Sequence, residues 1–140
     1  MRYVLDTSVL VAAVRSNVGA SNKLLESALL RKFHLLSTAN LFLEYEAVLT
    51  RPEQLAASGL SADQMSELLD ALAEVVEEIH PSYLWRAQLR DPDDDMVLEA
   101  AINGRANAIV TFNVRHFGMI PGRFGIRVLL PGEALRGLLQ

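Results

Sequence analysis

"RYVLDTSVLVAAV", residues 2–14, changes its rhythm at a single aspartate. Before Asp6, the run Tyr3, Val4 and Leu5 is continuously apolar, as expected of a short strand buried on both faces. After it, "TSVLVAAV" reads as a helix, with Ser8 as a candidate N-cap. The same alternation continues down the chain. Further strand-like runs are "FHLLST" (33–38), a short segment near Ile79, "NAIVT" (107–111) and "FGIRVLLP" (124–131). Helical patterns separate them. "SNKLLESALLRK" carries Leu24, Leu25, Ala28 and Leu29 on one stripe, and "ANLFLEYEAVLTRP" has Leu41, Tyr45, Val48 and Leu49 at helical spacing and stops at Pro52. A long amphipathic helix opens at Ser61, another closes near Gly104, and "GEALRGLLQ" ends the chain as a terminal helix. Apolar strands that alternate with helices predict a three-layer α/β/α domain over residues 1–140. Its central sheet should be mainly parallel, with four to five strands. In such sheets ligands bind beyond the carboxyl ends of the strands, near the switch in strand order.

Composition narrows the function. The 140 residues are 51% apolar and only 6% aromatic, so the core should be aliphatic. The absence of cysteine excludes a disulfide scaffold, a thiolate metal site and a cysteine nucleophile, and it fits a reducing compartment. No stretch is long and apolar enough to span a membrane, and no signal-like layout follows Met1, so a cytoplasmic protein with no membrane partner is expected. A net charge of −4 argues against a passive nucleic-acid coat. It leaves room for an enzyme whose acids hold metal ions and whose basic residues act locally.

Four places carry candidate chemistry. Asp6 leaves the sheet at the ligand-binding edge, beside the small hydroxyl residues Thr7 and Ser8, although a helix N-terminal acid is a common feature in itself. Glu44 lies among the apolar positions 41, 45 and 48 and so borders the buried side of its helix, whereas Glu46 reads as a surface residue. "DPDDDMVLEAA" (91–101) places four aspartates in five positions. Asp91 precedes Pro92 and reads as a turn residue, Asp93 or Asp94 can cap the helix, and Asp95 falls in its first turn. Capping needs one carboxylate, and a hard divalent cation best accounts for the surplus. Asn113 follows the strand ending at Thr111 and returns to the same edge as Asp6. It reads as a turn residue or as a neutral oxygen near a metal-bound water.

Taken in order, "YVLDTSVLVAA", "LEYEAVLTRP", "DPDDDMVLEAA" and "NAIVTFNVRHF" resemble the PIN-domain ribonucleases. More narrowly, the chain is similar to bacterial VapC-like PIN proteins described as toxin components of toxin–antitoxin systems. The resemblance implies a PIN-like fold and a metal-dependent endoribonuclease using Mg²⁺ or Mn²⁺. It implies Asp6, Glu44 and Asp95 as metal ligands, with Asp94 as the register alternative. Asn113 stands at the fourth catalytic position, where the wider family often has an aspartate. It further implies an RNA substrate and a cognate antitoxin as partners, while the apolar helices of the chain suggest a homodimer. Thr7 and Thr111 are expected to position waters or phosphate oxygens. Arg15, Arg51, Arg115 and His116 are candidates for attracting the RNA backbone. A haloacid-dehalogenase-like phosphatase is disfavoured because Ser8 stands where a second aspartate is needed, and a receiver domain lacks a placed lysine. The stronger alternative is a catalytically inactive PIN-like module that binds RNA or a partner, with Asn113 marking the lost acid.

Overall fold

Arg2–Leu5 forms β1, whose Tyr3, Val4 and Leu5 have no exposed surface, and the chain bends at Asp6 into helix α1 (Thr7–Arg15). The computed structural model describes residues 1–82 and 89–139. Asp6, rather than Ser8, occupies the N-cap of α1, because the helix begins at once after the strand. Helix α2 (Ala20–Leu29) leads to β2 (His34–Ser37), and α3 (Ala39–Leu49) follows, capped by the Thr38 hydroxyl accepting from the Leu41 N–H. Helix α3 stops before Pro52, as expected, and Pro52 then starts a further helix, α4 (Pro52–Ser58), which the sequence did not announce. Proline suits a first turn, where its missing N–H costs nothing.

Helix α5 (Ala62–Val75) opens as expected at Ser61. The Ser61 hydroxyl and the Gln64 side chain satisfy each other's backbone N–H groups in a reciprocal capping box. The strand expected near Ile79 is the two-residue β3 (Glu77–Glu78). Helix α6 (Pro92–Asn103), β4 (Ala108–Val110), a 3-10 helix (Val114–Phe117), the short α7 (Ile120–Arg123), β5 (Arg127–Leu129) and α8 (Pro131–Gly137) complete the order. Gln140, the last residue of the expected terminal helix, lies outside the described residues.

The five strands form one sheet in the order β3-β2-β1-β4-β5, and every neighbouring pair is parallel. Parallel neighbours cannot be joined by hairpins, so each connection crosses over through helices, which flank the sheet. Leu35 and Leu36 of β2 and Ile109 and Val110 of β4 are as buried as β1, and Tyr45, Met65, Leu98 and Phe117 extend the same aliphatic-rich core. The order makes β1 the switch strand: connections run one way to β2 and β3, and the other way to β4 and β5. A crevice therefore forms where the carboxyl ends of β1 and β4 diverge. No helix among the described residues is long and apolar enough to cross a membrane.

Candidate active site

Leu5 pairs with Val110 across β1 and β4, so the next residues, Asp6 and Thr111, leave the sheet side by side. The Asp6 N–H donates to the Val110 carbonyl at 2.9 Å, which continues the strand pairing by one step. The Asp6 carboxylate is not spent on capping α1, despite its N-cap position. Its Oδ2 accepts instead from the Thr111 hydroxyl at 2.6 Å and the Ser8 hydroxyl at 2.9 Å. Among the described residues no donor reaches Oδ1, although Asp6 is only 7% exposed. The backbone beneath is held from the core: the Tyr45 hydroxyl donates to the Leu5 carbonyl, and burial together with the Asp6 charge raises the phenol above its ordinary pKa.

The second buried acid comes from α6. Asp91, not Asp93 or Asp94, is the N-cap: its Oδ1 accepts from the Asp93 N–H at 2.9 Å, and Pro92 takes the first helical turn. That start turns Asp94 inward on the stripe of Val97, Leu98 and Ala101, leaving it 4% exposed. Burial raises the Asp94 pKa, and the charges of Asp6 and then Asp91 raise it further, while His116 opposes them. His116 Nδ1 lies 3.1 Å from Asp94 Oδ2, and beside an ionised carboxylate that nitrogen is the donor.

The other candidates are placed differently. Asp95 is partly buried, and its Oδ1 accepts from the Leu89 N–H at 3.0 Å. Glu44 is half-buried; its pKa is raised by burial and then by Asp93, against an opposing effect of Arg51. It therefore faces the acidic start of α6. The Asn113 side chain is exposed, but its N–H donates to the Thr111 hydroxyl at 2.9 Å, one hydrogen bond removed from Asp6. Thr111 and Ser8 orient Asp6 itself. Arg15 is bound to Gln54, and Arg51 precedes α4 near Glu44. His116 is the residue whose place was least foreseen, since its proximity to Asn113 in sequence suggested RNA contact rather than a carboxylate partner.

A family model for the PIN domain matches residues 2–115. The chain belongs to the PIN-domain family. Comparisons with curated proteins and with solved structures found no match. PIN domains are a family of nucleases and typically bind a divalent metal. Among the described residues of this PIN domain, no three Asp, Glu or His side chains stand close enough to enclose an ion by themselves. The donor set nonetheless suits Mg²⁺ or Mn²⁺. Such ions use one or two carboxylates and complete their shell with water and substrate phosphate. Asp6 and Asp94 are two buried, mutually repelling carboxylates, and Asp6 has an oxygen to spare. A cation between them would relieve the repulsion.

Proposed function

We propose that this PIN domain is a metal-dependent endoribonuclease with Asp6 and Asp94 as its principal metal-holding acids. The observation that carries the reading is this buried pair at the switch point of a parallel sheet. Two carboxylates so placed cost stability in the absence of a ligand, which a purely structural role leaves unexplained. Mg²⁺ or Mn²⁺, when bound, would supply positive charge to phosphate oxygens and make water more acidic. The chain's residues do the rest. Thr111 and Ser8 fix the Asp6 rotamer and leave its second oxygen to the crevice, and His116 fixes Asp94. Glu44, with Asp93 and Asp91, forms an outer acidic rim. Asn113 contributes a neutral amide and an orienting backbone N–H. Asp95 tethers the chain entering α6 and is assigned no metal contact.

The test is incubation of purified protein with single-stranded RNA and Mg²⁺ or Mn²⁺. Cleavage should need the metal, be lost in Asp6→Asn and Asp94→Asn proteins, and leave 5′-phosphate and 3′-hydroxyl ends. Cutting that persists in chelator or in Asp6→Asn protein would overturn the assignment.

The toxin role, with a cognate antitoxin, belongs to the same proposal and is supported by the sequence resemblance alone, and a homodimeric state is supported only by the apolar helices. Expression in a bacterial host should arrest growth, the Asp6→Asn protein should not, and the product of an adjacent small gene should restore it. Equal toxicity of the two forms would remove this role.

A further inference from the structure

The crevice continues past Asp94 into a cleft of about 540 Å³, a size suited to a small ligand. Its walls are residues 89–91 before α6 and residues 115–120, most of which lie beyond the matched region. The cleft has two unlike halves. Arg90 and Arg115 are exposed at its rim, and among the described residues neither has a carboxylate within ion-pair distance. That is notable in a chain of net charge −4, with Asp91 adjacent to one of them. Guanidinium groups left free beside a nuclease centre are suited to phosphate oxygens, which they bind through paired N–H groups. The other half is apolar. Phe117 is buried beneath, Ile120 is partly covered, and Met119 is 81% exposed at the edge. An unbranched thioether adapts to flat ligand surfaces at little cost. Asp94 and His116 line the same cleft, which places it directly beside the proposed cleavage centre.

A nucleotide fits that division, with an anionic phosphate at one end and a flat base, apolar on its faces, at the other. We infer that this cleft is a subsite for one unpaired nucleotide next to the scissile phosphate, with phosphate on Arg90 and Arg115 and the base against Met119 and Ile120. The inference rests on the nuclease reading and adds to it the side chains that hold the nucleotide beside the cut; a base held in a duplex cannot enter such a cleft.

The test measures binding of a fluorescent single-stranded RNA of mixed sequence, across a range of salt, to Asp6→Asn protein with Mg²⁺. Added Arg115→Ala should weaken binding several-fold and lower the slope of log affinity against log salt by about 0.7, one phosphate contact. Met119→Ala should weaken binding several-fold with the slope unchanged, and the duplex of the same sequence should be insensitive to it. Lys32→Ala, just before β2 at the opposite sheet edge, should change neither quantity. Unaltered binding by the Met119→Ala protein, or an equal slope change with Lys32→Ala, overturns the subsite. Cleavage is scored separately in the otherwise unaltered chain. RNA bound through Arg115 and Met119 but never cut keeps the subsite and removes the nuclease. RNA cut and bound normally by both variants does the reverse.

Discussion

Thr111 donates its hydroxyl to Asp6 Oδ2 across 2.6 Å, joining residues 105 positions apart where β1 and β4 leave the sheet. Both side chains are buried, so this bond exchanges a desolvation cost for a fixed carboxylate. Thr111→Val keeps the shape and deletes the donor. It should destabilise the fold by about 2 kcal/mol in denaturant titration and reduce cleavage, while Thr111→Ser restores most of both. Equal loss in the valine and serine proteins would mean that shape, not the hydroxyl, matters.

The register of the acidic stretch separates two neighbours. Asp94→Asn should lower metal-dependent cleavage at least a hundredfold with the fold intact, since it removes one of two buried carboxylates. Asp95→Asn should leave cleavage within a few-fold and weaken the Leu89 contact, costing about 1 kcal/mol. Cleavage assays paired with thermal unfolding decide it, and the reverse pattern would return Asp95 to the site.

Stability of the metal-free protein should fall as pH rises from the ordinary aspartate range through the raised pKa of Asp94. In that window the folded state holds a proton that the unfolded state has released, so deprotonation favours unfolding. The cause is burial first and repulsion from Asp6 and Asp91 second. Asp94→Asn should flatten the dependence, and saturating Mg²⁺ should oppose it, because protons and metal compete for the same oxygens. Unfolding midpoints measured across mildly acidic to neutral pH, with and without the ion, would show it. A wild-type curve that matches the Asp94→Asn curve sinks the prediction.

Tyr45→Phe removes the donor to the Leu5 carbonyl, directly before Asp6, without changing the packing of the ring. A buried carbonyl then loses its side-chain partner, at a cost of about 1–3 kcal/mol. Cleavage at saturating metal should fall by more than the folded fraction does, because the strand end that carries Asp6 is no longer held. Activity that tracks the folded fraction alone would confine Tyr45 to the core.

The central strands were readable because β1, β2 and β4 are buried on both faces and thus continuously apolar. Ser61 was readable because a capping box has a fixed spacing. Two of the misses involve proline. Pro52 follows the end of one helix, as its position suggests, but also opens the unforeseen α4, and Pro92 opens α6 directly after its cap; four of the chain's five prolines lie in a first helical turn. The residue before such a proline is held extended, and Arg51 (ψ 142°) and Asp91 (ψ 123°) both are. Reading Asp91 as a turn residue placed the cap at Asp93 or Asp94, two or three positions too late, and set Asp95 ahead of the buried Asp94. The His116–Asp94 contact was hidden for a different reason: it joins residues 22 apart through a 3-10 turn that carries no periodic signal.

The strand order has a further consequence for timing. β1 is made first, but its neighbour β4 begins only at Ala108, and the hydroxyl that orients Asp6 arrives with Thr111. Asp94 and its partner His116 also come from the last third of the chain. Contacts so distant in sequence form late, after the chain entropy of a long loop has been overcome. A growing polypeptide thus carries its first acid for most of its synthesis with no completed centre around it, and a chain truncated before residue 111 cannot assemble one.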